Sequence, residues 1–435
     1  MNPLAAQLNE DLDGAGPEVL AMLSAYGKRL YFPKGILSQS AEAKEKAHQF
    51  NATIGIATEA GGPMYLASVQ QHLLDVDPDD AYPYAPASGR MDLREHWRAK
   101  LVNENPDLGS KKFGLPIVTS AITHGLALVR ELFVDPGDRI LIPDKLWGNY
   151  RMNFEVHGEA EIETFPFYAE GGFNCQGFAQ ALAQTSEGRE KLVVLLNFPN
   201  NPTGYMPTVA ETEAIVAALV AQAEAGTRLV VITDDAYFGL FYHIGGPSAT
   251  QSLFAQLVGR HANLLAVKLD GATKELFVWG LRCGFISFGP GRAEGAETVC
   301  AVLEAKTKGA IRGGVSNVGQ LSQSLVEKAL SSPSLAEERA AKNEELCARA
   351  KRVAEVAALP RYAESWDVYP FNSGYFMCVQ VKVDAEKLRV HLLSQYGVGL
   401  ISTSASDIRI AFSCLEVEQI EPLFEVLHRA VQDLA

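Results

Sequence analysis

KLVVLLNFPNNPTG (191–204) and RLVVITDDAYFG (228–239), separated by a long Ala-rich helical stretch (209–225), decide the fold. Each begins as a near-continuous β-branched run and ends in polar residues. Such runs, apolar at every position and spaced by helices, describe a mainly parallel sheet covered on both faces. The same alternation continues outward: PIVTS (116–120) then THGLALVRELF (123–133), DRILIP (138–143) then a helix around 148–157, EIETFPF (161–167), NLLAVKLDG (263–271) and GLRCGFISFG (280–289). The turn formers PGD (136–138) and NNPTG (200–204) fall between these elements. Upstream, SGRMDLREHWRAKLV (88–102) reads as a turn and a helix with Leu93, Trp97 and Leu101 on one face.

At the N-terminus, residues 1–50 are helix-prone and polar, with a break at FPKG (33–35 and neighbours). IGIATEAGGPMYLASVQQHLLD (54–75) turns through two glycines into an apolar-periodic helix. Beyond 289 the texture changes. Helical stretches at 296–308 and 318–355 lead into strands at 374–383 and 407–412 and helices at 384–396 and 416–432, which read as a smaller α/β domain. The expected division is an N-terminal segment, 1–75, contributing to the small domain and dimer contacts, a large domain, 76–325, and a small C-terminal α/β domain, 326–435.

Composition narrows the function. Of 435 residues, 47% are hydrophobic and 21% charged, values for a globular chain with a sizeable core. The 38 basic against 52 acidic residues give a formal charge of -14, which repels phosphate backbones and anionic lipid. Neither a nucleic-acid nor a membrane partner is expected. Six scattered cysteines without a CxxC pair fit a reducing compartment, and no signal peptide is legible at the N-terminus, so a cytoplasmic location is expected. No GxGxxG, GxxxxGK[ST] or GxSxG is present, and the histidines never fall at metal-ligand spacing.

Three stretches carry chemistry. In ATKELFVWGLR (272–282), Lys274 follows an apolar strand, the place where open α/β sheets put ligands. In apolar company its amine would be desolvated and its pKa lowered, as covalent catalysis on a carbonyl requires; a solvated surface lysine is the plainer reading. In RLVVITDDAYFG, an acid at the strand end suits a metal or a cationic ring nitrogen, while Asp235 suits the capping of a following helix. In NFPNNPTG (197–204), Asn200 and Asn201 offer side-chain amides to a cleft, or form a plain turn.

Taken in order, NNPTG, DDAYFG and a lysine eight residues before an arginine resemble the class I/II pyridoxal-phosphate (PLP) aminotransferases of fold type I, nearest the aspartate/aromatic branch. PDKLWGNYRMNF (143–154), TSAITHGLALV (119–129), YAPASGRMDLR (84–94), IRGGVSN (311–317) and DIRIAFS (407–413) extend the resemblance over nearly the whole chain from about residue 50. It implies a large domain built on a mainly parallel seven-stranded sheet, a smaller α/β domain and a homodimer with active sites at the subunit interface.

It also implies roles. Lys274 would hold the PLP aldehyde as a Schiff base and shuttle the substrate proton; Lys268, within its strand, lacks the spacing. Asp234 would pair with the ring nitrogen, Asn201 and Tyr237 with the phenolic oxygen, and Trp147 would stack on the ring. The amides of Ala121, Ile122 and Thr123, with Thr273, Arg282 and the neighbouring subunit's Tyr84, would hold the phosphate. Arg409 would take the substrate α-carboxylate, beside Asn201 and Trp147, and Arg312 would cross to the partner to read a distal carboxylate. Four departures are visible. Ala121 replaces a glycine, which is tolerable where φ stays negative. Gly271 replaces a serine, Val315 replaces an aromatic residue, and the segment before Arg409 is short. The implied reaction moves the amino group of an acidic or aromatic L-amino acid to a 2-oxo acid such as 2-oxoglutarate. A PLP-dependent lyase (C–S lyase or cyclising elimination), or a non-catalytic PLP-binding regulatory domain, would use the same constellation.

Overall fold

The computed structural model describes residues 1–31 and 35–435, so most of the break expected at FPKG lies outside the described residues. Its largest element is a seven-stranded sheet in the order Ile117–Thr119, Gly284–Gly289, Leu264–Gly271, Arg228–Asp234, Lys191–Asn197, Arg139–Pro143, Glu161–Phe165. All the strands run one way except Gly284–Gly289, which is antiparallel to both neighbours. Its central strands are buried along almost their whole length, as consecutive apolar residues demand when helices cover both faces. The helix Met91–Glu104 turns Leu93, Trp97 and Leu101 into the core. Trp97 stacks on Phe285 at 4.1 Å between centroids and donates its indole N–H to Asp270 Oδ2 at 3.0 Å. That bond satisfies the one polar atom of a large buried side chain.

A second, antiparallel sheet joins Trp366–Val368, Phe376–Val381, Asp407–Ala411 and Ile401–Ser402. The N-terminal segment packs beside it: Phe50–Asn51 pairs in parallel with Val398–Gly399 as a separate two-stranded sheet, and the Ala411 N–H donates to the Ala52 carbonyl at 3.0 Å. The expected division at 325/326 falls inside the helix Gln320–Leu330.

Two expectations fail. The 54–75 stretch makes a hairpin, Thr58–Glu59 against Gly62–Pro63, then only a four-residue helix, Ala67–Gln70. Ala60 and Gly61 both take positive φ, which suits a tight hairpin turn. Met64, Leu66 and Val69 enter the core, while Leu74 is 100% exposed. The 318–355 helix is two helices, Gln320–Leu330 and Leu335–Ala357. Pro333 lies in the gap, where it lacks an N–H and excludes its predecessor from helical geometry.

Candidate active site

The C-terminal ends of the sheet strands converge on one cavity of about 320 Å³. Ala121, Ile122, Thr123, Trp147, Asn201, Asp234, Tyr237, Thr273, Lys274, Arg282 and Arg409 all line it. Residues from Ala121 to Arg282 meet there because each stands near a strand end of the large sheet, and Arg409 reaches in from the middle of the strand Asp407–Ala411.

Asp234 closes its strand and is almost fully buried. Burial pushes its carboxyl up to about 6, against a hydrogen bond from Tyr150 and the charge of Lys274. Tyr150 Oη donates to Asp234 Oδ2 at 2.7 Å, and the backbone N–H of Ala236 donates to Oδ1 at 3.1 Å. Tyr150 was missed on sequence grounds. It stands in GNY (148–150), three residues after Trp147, and a turn closed by the Tyr150 N–H on the Trp147 carbonyl at 2.9 Å brings the two side chains together. Their rings meet edge to face at 5.6 Å.

Lys274 lies in the short helix Ala272–Glu275 that follows the strand Leu264–Gly271. Its amine sits 5.1 Å from the Tyr237 ring centroid and has no hydrogen-bond or ion-pair partner among the described residues. Burial draws its pKa down to about 8, partly offset by the Asp234 charge. Lys268 differs in every respect. It is fully buried, pairs with Asp235 and lies 3.6 Å from Asp270, so its charge is held between two carboxylates. Asp235 therefore caps no helix. Its side chain also accepts from Ser252 Oγ, and the reason is electrostatic: a lysine buried in a central strand requires an adjacent anion.

NNPTG splits its two asparagines. Asn201 Oδ1 accepts from Arg409 Nη1 at 3.1 Å, inside the cavity. Asn200 does not offer its amide to the cleft as expected. Its Oδ1 accepts from the Thr203 N–H and hydroxyl, and its Nδ2 donates to the Lys145 carbonyl at 3.0 Å, which fixes the turn. Gly204 is required there: φ is +72°, and an added Cβ would lie 2.0 Å from the Phe376 carbonyl oxygen.

Arg409, 2% exposed, lies over the Phe376 ring at 4.2 Å and donates through Nη2 to the Thr53 carbonyl at 2.8 Å. Its Nε is buried without a partner, as is Thr273 Oγ1. The indole N–H of Trp279, which also lines the cavity, is unpaired as well; unpaired buried donors are costly, and three of them around one cavity mark a place for a ligand acceptor. The amides opening the helix Ala121–Phe133 add an anion-binding end. Arg282 stands across the cavity, with its guanidinium pKa lowered by burial.

The two replaced small residues resolve differently. Ala121 takes φ +60°, so the turn does need a left-handed residue and alanine is strained in it. Phe277 and Arg282 adopt φ +55° and +51°, so strain gathers around this cavity. Gly271 has room for no side chain: a Cβ would lie 2.8 Å from Gly284 Cα and 2.9 Å from the Cys283 carbonyl oxygen. A serine cannot stand there in this packing. Tyr84 and Arg312 lie outside the cavity. Tyr84 is 90% exposed, and the two line a separate surface hollow with Val315, Ser316 and Asn317. Arg312 belongs to the last turn of the helix Ala296–Gly314 and donates to Ser316 Oγ at 2.6 Å.

A sheet of this topology, with an isolated lysine facing a buried aspartate beyond its strand ends, is the fold type I arrangement associated with pyridoxal phosphate. An aminotransferase from Anaerococcus prevotii superposes with a TM-score of 0.81 at 22% identity, covering 94% of this chain and 99% of that one. The Pyrococcus horikoshii kynurenine aminotransferase superposes at 0.80 with 16% identity, covering 97% and 99%. These likenesses establish the fold. Among curated proteins, the aspartate aminotransferase of Musicola paradisiaca is 29% identical over 170 residues, 39% of each chain. That of Geobacillus stearothermophilus is 25% identical over 263 residues, 58% of this chain and 60% of the relative. The aligned segments thus span less than two thirds of either relative. Residues 60–427 match the family described as aminotransferase class I and II, and the chain belongs to that family.

Proposed function

We propose that the protein is a PLP-dependent aminotransferase that moves the amino group of an acidic or aromatic L-amino acid to a 2-oxo acid, 2-oxoglutarate being the favoured acceptor. One observation carries the reading: Lys274, with its pKa drawn down to about 8, faces Asp234 in a cavity that also holds unpaired buried donors on Thr273 and Arg409. Those residues fit the cofactor. The 121–123 amides, Thr273 and Arg282 would hold its phosphate, Asp234 its ring nitrogen, Tyr237 and Asn201 its phenolic oxygen, and Trp147 its ring face. When bound, pyridoxal phosphate supplies an aldehyde for an amine and a cationic ring that accepts the electrons left at the substrate Cα.

The chain's own residues supply the rest. Lys274, neutral in a substantial fraction near pH 8, is the base that removes and returns the proton at the substrate Cα. Arg409, a buried guanidinium held through Nη1 and Nη2 and with its Nε left unpartnered, is the cation for the α-carboxylate. Asn201 fixes that guanidinium and keeps its own amide nitrogen for the ring oxygen. Ile54, Ile56 and Phe376 give one side of the cavity an apolar lining.

A homodimer completes the reading. Leu74, Tyr82 and Tyr84 are 100%, 85% and 90% exposed, apolar surface that a second copy would cover. Tyr84 and Arg312 would then serve the partner's cavity. The free cysteines fit a reducing, cytoplasmic setting. The test is a half-reaction screen: PLP-loaded protein is mixed with each L-amino acid, and conversion to the pyridoxamine form and release of the oxo acid are followed. Stoichiometric conversion supports transamination, whereas oxo-acid release without amino transfer favours a lyase. In the same screen, Arg312→Ala should raise KM for aspartate and glutamate and spare phenylalanine. Equal loss for both classes sinks the crossing role of Arg312.

A further inference from the structure

Two residues before Arg409, on the same face of its strand, stands Asp407, which is 2% exposed in its side chain. Two residues before Trp147, in the loop that follows the strand Arg139–Pro143, stands Lys145. Lys145 Nζ meets Asp407 Oδ2 at 2.5 Å, and Tyr369 Oη donates to Oδ1 at 3.0 Å. The Lys145 ammonium also lies 4.9 Å from the Tyr369 ring centroid. The pair therefore bridges the seven-stranded sheet and the antiparallel sheet, beside the bridge from Arg409 to Asn201. The Asn200 side chain ties the two bridges together through the Lys145 carbonyl.

We propose that Lys145 and Asp407 are positioning residues that hold Arg409 at the distance where it receives a substrate carboxylate. The proposal rests on the reading of Arg409 above. Its physical basis is an asymmetry in how the two sides of the bridge are anchored. The loop carrying Lys145 stays fixed to the large sheet without its side chain: Asp144 accepts from the Phe167 N–H at 2.8 Å, the Asp144 N–H donates to the Phe165 carbonyl at 2.9 Å, and Tyr150 holds Asp234. Among the described residues, the strand Asp407–Ala411 itself reaches these loops through the side chains of Asp407 and Arg409, while its neighbour Phe376–Val381 adds the Cys378 thiol to the Pro202 carbonyl. Losing the lysine leaves Asp407 as a buried anion without its cation, which favours withdrawal of that strand toward water. The carboxylate site then loosens while the cofactor residues stay in register.

The test compares wild type with Lys145→Met, Asp407→Asn and Lys145→Arg. One readout is independent of turnover: the dissociation constants of phenylpyruvate and 2-oxoglutarate for the PLP-loaded protein, which has no amino group to give them. Lys145→Met and Asp407→Asn should weaken both acids by roughly ten- to a hundredfold, the scale of a misplacement near 1 Å. KM for the amino acid should rise in parallel, with kcat and PLP affinity nearly unchanged. Lys145→Arg, whose guanidinium can still meet the carboxylate, should stay near wild type. Unchanged oxo-acid affinity in Lys145→Met, or lost PLP affinity with oxo-acid binding intact, overturns the proposal. Should Lys145→Met fail to fold, Tyr369→Phe decides: it must weaken both acids, and wild-type binding counts against the proposal. Wild-type protein that binds oxo acids but transaminates nothing would refute the functional reading and leave the positioning pair standing.

Discussion

Tyr150→Phe isolates one hydrogen bond. It keeps the buried ring and removes only the hydroxyl that donates to Asp234 Oδ2 at 2.7 Å. A buried hydrogen bond to a charged group contributes about 1.5–3 kcal/mol. At 1.36 kcal/mol per unit, its loss should raise the Asp234 pKa by about one to two units. Burial already holds that pKa at about 6, so the carboxyl would pass from mostly ionised at pH 7 to half or less. The ionised form is the one that would pair with a protonated ring nitrogen. PLP affinity of the apoprotein, followed by quenching of tryptophan fluorescence, should therefore strengthen with rising pH through about 6 in wild type. In the variant the acid limb should be displaced upward by about one to two units, with the plateau little altered. Superimposable acid limbs would show that Tyr150 does not set the ionisation of Asp234.

Two other outcomes follow from the same cavity. In the apoprotein, an amine-reactive reagent should label Lys274 with a rate that rises through pH about 8, because burial has lowered its pKa, while Lys268 stays unlabelled in its ion pair; peptide mapping that finds Lys268 modified first would contradict this. Gly271→Ser should destabilise by about 1–3 kcal/mol in urea unfolding, the range for overpacking, since its Cβ would stand 2.8 Å from Gly284 Cα; a stable variant with tighter PLP binding would mean that the strands part to admit it.

Most of the large sheet was legible because its strands are buried on both faces, and burial on both faces writes itself as unbroken apolar runs. The cavity was legible for the same reason: strand ends place Asp234, Lys274 and Asn201, and a strand end can be read from where the apolar run stops. What escaped reading depended on partners distant in sequence. Tyr150 gains its role only from Asp234, 84 residues away. Asp235 has the sequence position of a helix cap, but its partner is Lys268 on the adjacent strand, 33 residues away. The sign of φ at Ala121 is set by the turn joining strand to helix, and nothing in the residue type announces it. The apolar periodicity of 54–75 overstates its helix, because Met64, Leu66 and Val69 enter the core while Leu74 is left exposed.

The hydrogen bond from Arg409 to the Thr53 carbonyl spans 356 positions, and Phe50 pairs with Val398. By contrast, Ala121 to Arg282, the residues proposed for the cofactor, lie within the stretch that builds the seven-stranded sheet, Ile117 to Gly289. During synthesis from the N-terminus, a domain forms as a unit once its strands have emerged, whereas contacts between distant segments wait for the last of them. The residues of one chain proposed to hold the cofactor are thus all synthesised about 120 residues before Arg409, by the order of the chain itself. Thr53, made early, waits for its partner throughout that interval, and Arg409 is the last of the cavity's residues to be made.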